Sequence, residues 1–265
     1  MRRTSSNPAL TRIPAFAGAN KTVGFGPGPQ TADPIEQGYF GPTATARDTG
    51  RMTVEDVTVR TGILLATLMA TGAFTWFANL ELLAIPAMLV GLVLGLVITF
   101  KQVTNPAAII AYAAVEGVFL GGVSKFYNDA YNGIVVQAIV GTLGVAAVTL
   151  FLYSSGKIRV TPQFTKMVIG ATAGYMVLLL TNFVVSIFHS GGLGLFNGGA
   201  VSIVICALAI GLASMNLVLD FDFISNGARR GMPERYGWLA AFGLLVTLVW
   251  LYLEILRLLG KVRSR

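Results

Sequence analysis

"LLAIPAMLVGLVLGLVITF", residues 82–100, carries no charged side chain anywhere along its length. A helix of about 20 apolar residues spans the hydrocarbon core of a bilayer. "TGILLATLMATGAFTWFA" (61–78) and "GLLVTLVWLYL" (243–253) repeat the pattern. In lipid every backbone N–H and C=O must be satisfied within the chain, so runs of this kind form helices rather than open sheet. The alternating apolar and polar pattern of a transmembrane barrel is absent.

Composition agrees. Of 265 residues, 54% are hydrophobic and only 12% charged, and the mean hydropathy is +0.71. A soluble domain carries about 25% charged residues. The net charge of +7 does not point to nucleic acid. Its Lys and Arg residues sit in short loops and tails beside apolar spans, where they orient a membrane protein. The single cysteine, Cys206, lies inside a hydrophobic run, so no disulfide framework forms within one chain.

Periodicity and loop signals predict an all-α, polytopic bundle of seven transmembrane helices, at about 58–78, 82–100, 106–124, 133–153, 164–188, 197–224 and 236–260. Short connections favour one domain over residues 57–265, with the seventh helix enclosed by the others. Residues 1–56, rich in Gly, Pro, Ser and Thr ("GFGPGPQTADP"), read as a disordered cytosolic tail, a short part of which docks. Two arginines open the chain without an apolar run behind them, so no cleaved signal is expected.

Arg51, Arg60, Lys101, Lys157, Arg159, Lys166, Arg229, Arg230 and Arg235 fall on one side of the seven spans. The opposite loops carry only Lys125, so the positive-inside rule puts the N-terminus in the cytoplasm of a bacterial inner membrane. The basic C-terminal "RLLGKVRSR" disagrees, because seven crossings bring it out on the other side.

Acids inside such spans carry the functional signal. With 1.5 Å of rise per residue, Asp220 lies roughly 9 Å and Asp222 roughly 6 Å below the cytosolic surface, and Glu116 in "AYAAVEGVFLGG" roughly 15 Å in. A charge at the centre of a span costs roughly 2.5–3.5 kcal/mol on insertion scales and faces a cavity, a partner or an ion path. Desolvation disfavours the ionised form of a carboxyl and a second acid adds to the effect, which brings titration toward neutral pH. Asp220 and Asp222, two residues apart, stand about 200° apart around a helix. Asn216 shares the Asp220 side, and Thr247 lies at similar depth on the seventh helix. Asp220 is expected to face the interior, and Asp222 to be more exposed, either as a gate acid or as a partner of the Arg229–Arg230 loop. Asp220 and Glu116 read either as ion-path acids or as neutral acids bonded between helices. Glu254 reads as an acid paired with Arg257 three residues on.

Other positions read as structural. Gly117, Gly121 and Gly122 suit close helix packing. Pro86 is expected to kink the second helix, Asn182 to bond across helices, and His189 to lie at an interface. No zinc-ligand, serine–histidine or paired intramembrane aspartate constellation is visible, so an enzyme and a bound cofactor are not expected.

At "LDFDFI" (219–224), a basic loop and "AFGLLVTLVWLYLEILRLLG" (241–260), the chain resembles the Bax inhibitor-1/YccA-like family of seven-helix membrane proteins. Asp220 and Ile224 match the family pattern Y-D-x-x-x-I, with Leu219 in place of the tyrosine. "SNPAL", "EGVFLGGVSKFY" and the polar tail look like the actinobacterial branch. The resemblance implies a pH-sensitive calcium leak sensed by one aspartate on helix 6 and one on helix 7. An ungapped register puts Thr247 at the helix-7 position, which leaves Glu116 or Asp222 as the acid partner of Asp220. The resemblance also leaves open a non-transporting regulator that binds other membrane proteins, such as a quality-control protease.

Overall fold

The computed structural model describes residues 50–188, 192–195 and 199–264. Most of the expected tail, and His189, lie outside the described residues. Within them are seven helices long and apolar enough to cross a membrane: α1 (Val54–Phe77), α2 (Ala84–Lys101, preceded by a 3-10 turn at Glu81–Leu83), α3 (Pro106–Ala130), α4 (Ile134–Ser154), α5 (Pro162–Phe188), α6 (Gly199–Arg229) and α7 (Tyr236–Arg263).

Several helix ends run past the sequence estimates, and polar caps set two of the starts. Thr53 accepts a hydrogen bond from the Asp56 N–H (3.1 Å), so α1 starts at Val54 with Glu55 and Asp56 in its first turn. Asn105 caps α3 through the Ala107 N–H (2.9 Å), with Pro106 in the first turn. Pro86 sits in the first turn of α2, where no helical hydrogen bond is lost, so the expected kink has no cause there. Among the described residues Asn182 bonds a turn and not a second helix. Its Oδ1 accepts from the Leu193 N–H (3.0 Å) and closes the turn after α5.

Helix α7 occupies the centre. Its apolar window is 61% buried, against 11% for α5 and 17% for α2. α7 packs on α1, α3, α4 and α6, while α2 leans on α3 and α5 leans on α6. Contacts between loops and helix ends fix the alternating direction of the spans. Met52 N–H donates to the Met232 carbonyl (2.8 Å) and Glu234 N–H to the Gly50 carbonyl (2.9 Å), which pins the start of α1 to the α6–α7 loop. Met52 is almost wholly buried there, and Arg60 pairs with Glu234 and lies 5.3 Å over the Trp238 ring. At the opposite end, Lys125 pairs with Glu81, and Arg263 donates to the Asn132 carbonyl (2.8 Å).

Glycine sets the closest seam. A Cβ on Gly117 would lie 2.0 Å from Thr71 Oγ1 and 2.3 Å from the Leu68 carbonyl oxygen, and one on Gly121 2.4 Å from the Gly72 carbonyl oxygen. Only bare backbone lets α1 and α3 approach this far, the small-residue packing that membrane helices use in place of a hydrophobic drive. Gly121→Ala is therefore expected to destabilise by about 1–3 kcal/mol, the usual cost of overpacking. Gly170 has open space at its Cβ, so Gly170→Ala should be neutral or slightly stabilising. Thermal unfolding in detergent compares them, and equal melting shifts would refute the seam.

Candidate functional site

The two acids of α6 find partners on two different helices, α7 and α4. Asp220 meets α7: the Thr247 hydroxyl donates to its Oδ2 at 2.6 Å, across 27 residues of sequence. Gly243, one turn before Thr247, faces the same carboxyl, and a Cβ there would sit 3.7 Å from Oδ1. The Thr247 oxygen is also 3.2 Å from the Gly243 carbonyl oxygen. Asp220, Thr247 and Gly243 thus form a short polar seam inside an otherwise apolar contact between α6 and α7.

Asp222 points elsewhere, as its rotation by two residues requires. It accepts from the Tyr153 hydroxyl of α4 (3.3 Å) and from the Asn226 amide (2.7 Å), and Asn226 in turn accepts from Arg229 (2.8 Å). The link to the basic loop therefore runs through Asn226. Both aspartates are partly buried, and Tyr153 covers Asp222 from α4, a cover that the sequence did not show.

Asn216 also differs from expectation. Its amide donates to Thr172 Oγ1 on α5 (2.8 Å) and to the Leu212 carbonyl of its own helix (2.9 Å), not toward Asp220 or α7. It fastens α5 to α6. Glu116 is 9% exposed and lies against α2, where a Cβ on Gly91 would come within 2.9 Å of its Oε2. The residues around it include Tyr112, Phe242 and Val246 but not Asp220, Asn216 or Thr247. The residues that line the space at Glu116 are thus distinct from the Asp220, Thr247 and Gly243 seam. Phe242 and Gly243 stand about 100° apart on α7, so the two acids look at different sides of that helix.

Glu254 is the most enclosed acid among the described residues, 1% exposed. Its Oε1 accepts from Arg257 (2.8 Å), the Tyr175 hydroxyl of α5 (2.7 Å) and the Trp250 indole N–H (3.4 Å). Tyr175 stacks on Trp250 at 5.8 Å. The i, i+3 ion pair was legible in the sequence; the ties to α5 were not. Thr172 and Tyr175 are three residues apart on one face of α5, and that spacing of two hydroxyls in a greasy helix is the signal that could have found them.

Among the described residues no three His, Cys, Asp or Glu side chains converge as metal ligands. The acids act singly, Asp220 and Asp222 with hydroxyl or amide partners and Glu254 with a guanidinium as well. Such groups can hold or release a proton and can touch a passing hydrated cation. They do not build a cage for a resident ion, which needs about 6–8 oxygens for calcium.

The family model described as Bax inhibitor 1 like matches residues 7–264. The chain belongs to the Bax inhibitor 1 like family. No curated relative matches it in sequence. The contact between α6 and α7 shows which α7 side chain stands opposite the helix-6 aspartate. Thr247, not Glu254, faces the helix-6 aspartate, and Glu254 stands about two turns further along α7 with Tyr175 for a partner. In this Bax inhibitor 1 like protein a threonine hydroxyl therefore occupies the place opposite Asp220.

The Glu254 cluster gives a stability test. Glu254→Ala leaves Arg257 without its counter-charge, and breaking a buried pair costs about 3–5 kcal/mol. The low end applies, since the Arg257 side chain keeps 32% of its exposure. Tyr175→Phe removes the bond to Glu254 and the long 3.5 Å bond from Arg257, and should cost about 1 kcal/mol. Thermal unfolding of the two variants in detergent measures the ranking, and an equal loss would show that Arg257 does not depend on Glu254.

Proposed function

We propose that this protein is a passive, pH-sensitive cation leak in the bacterial cell membrane, with calcium as the cation, a cytosolic N-terminus and Asp220 as its gate acid. The observation that supports this reading is the 2.6 Å contact between Asp220 and Thr247 across α6 and α7. Its two protonation states use the same atoms differently. A neutral Asp220 can donate its own proton to Thr247 Oγ1, and the Thr247 hydroxyl then donates to the Gly243 carbonyl 3.2 Å away. Every polar group of the seam is satisfied, and the helices stay closed. An ionised Asp220 can only accept, so Thr247 turns to it, and one negative charge remains inside an apolar bundle. That charge is costly to keep dry. It favours an arrangement in which α6 and α7 part and water enters.

Asn216 and Asp222 hold α6 against α5 and α4 through Thr172 and Tyr153. Acids that act one at a time suit transient passage of a hydrated cation rather than storage.

Flux should therefore fall as pH drops and Asp220 takes up its proton. In proteoliposomes assayed between about pH 5 and 8, Asp220→Asn is expected to give low flux without pH dependence. Asp222→Asn should keep most of the pH response. Thr247→Val removes the group on which the neutral acid closes, so its low-pH flux should rise toward the high-pH value. Equal calcium flux in wild type and Asp220→Asn across the range would exclude the gate and favour a non-transporting regulator that binds other membrane proteins.

A further inference from the structure

Helix α2 packs along α3, and a chamber of about 300 Å³ lies between it and α7. Gly91 and Gly95 of α2 make the room, Tyr112, Glu116 and Phe119 form the α3 wall, and Phe242 comes from α7. Leu92 and Leu96 are 57% and 47% exposed beside it, so the opening is lateral, toward the surface that faces acyl chains. The larger cavity, about 540 Å³ between α1 and α4, has no charge in its wall, and its Ser124 and Tyr252 already bond each other at 2.6 Å. The smaller chamber is different in kind, because a carboxyl nine-tenths buried is aimed into it.

Glu116 has Tyr112, one turn away, as its polar neighbour. Gly91 is bare backbone where any Cβ would come within 2.9 Å of the carboxyl, so the acid reaches across the gap between the helices. Three aromatic side chains share the wall with it, and Tyr112 meets Phe242 edge to face at 4.9 Å. A carboxyl that can ionise against a cation, aromatic rings and an apolar mouth are the requirements of a site for an organic cation. Aromatic faces attract ammonium groups, most strongly when these are desolvated. The volume stands at the lower end of small-molecule pockets, about 300–1,000 Å³. A divalent metal fits poorly, since one carboxyl falls far short of the roughly 6–8 oxygens that calcium takes.

We propose that the chamber between α2, α3 and α7 binds a lipophilic monovalent cation, an ammonium on an apolar stem, which enters sideways from the bilayer and pairs with Glu116. The site is separate from the Asp220 seam and does not depend on the leak reading. An ammonium head neutralises the buried carboxylate while its stem stays in the lipid-facing mouth beside Leu92. Neutral molecules of the same shape leave the acid unpaired and gain little there.

The test uses the full chain in lipid nanodiscs and a spin-labelled decyl-dimethylammonium, with its uncharged decyl analogue as control. Electron paramagnetic resonance separates an immobilised, saturable population from probe dissolved in lipid. Wild type should show that population for the cation and not for the neutral analogue. Glu116→Gln should weaken it on the order of tenfold or more. Leu92→Trp, at a lipid-exposed rim position, should block it without touching the acid, while Asp220→Asn should bind as wild type does. The proposal is overturned if wild type shows no saturable population, or if both Glu116→Gln and Leu92→Trp retain it. It is equally overturned if Asp220→Asn abolishes it, which would make the chamber part of the ion path.

Discussion

A polar side chain in a membrane-spanning helix has no water to turn to, so it must find a partner on another helix or on its own backbone. That constraint organises this bundle. Helix α7 carries Thr247, Tyr252 and Glu254 in its middle turns, and all three are nearly buried. Thr247 meets Asp220 on α6, Tyr252 meets Ser124 on α3, and Glu254 meets Tyr175 on α5. A helix that must satisfy groups on three sides can do so only at the centre. Threonines with no such neighbour, among them Thr67, Thr99 and Thr181, turn back to the carbonyl four residues earlier.

The same constraint separates firm contacts from loose ones. α1 and α3 are locked by glycine-mediated backbone approach, with no space for a methyl group at Gly117 or Gly121. α5 buries a single residue, Val168, and its ties inward are Thr172 to Asn216 and Tyr175 to Glu254. α2 touches the bundle along α3 and stands off α7 across the Glu116 chamber. Helices held by one or two polar contacts open at lower free energy than helices locked along their length. Motion in this fold is therefore expected at α2 and at α5, while α1 and α3 serve as the frame.

The spans were legible in the sequence because lipid imposes a length and a composition that few soluble helices share. Their ends were less so, since Thr53 and Asn105 extend α1 and frame α3 with polar groups outside the apolar runs. The acids of interest were legible one by one, as charges where charge is expensive. Their partners were not. Rotation about α6 separates Asp220 from Asp222, but which helix lies opposite each face depends on packing that no local pattern encodes. Asn216 shares a side with Asp220 on a helical wheel, yet it bonds α5, because Thr172 is the hydroxyl within reach. Glu116 has the depth of a path acid, and α7 turns a different face to it.

Packing also accounts for the basic C-terminal segment, the one feature that opposed a simple charge rule. α7, at 28 residues, is long enough to cross, so Arg257 and Arg263 belong to the end of the bundle opposite Arg229 and Arg230. Arg257 is drawn inward by Glu254, Arg263 is held by the Asn132 carbonyl, and Lys125 at the same end pairs with Glu81. Lys101, Lys157, Arg159, Lys166, Arg229 and Arg230, at the other end, are all exposed. Orientation in a membrane responds to cations presented to the headgroups and to the translocation machinery, and a guanidinium already paired inside the protein counts for less. The exposed positive charge is concentrated at the end where α1 begins, and that imbalance supports the proposed cytosolic placement of the N-terminus despite the basic residues at the far end of α7.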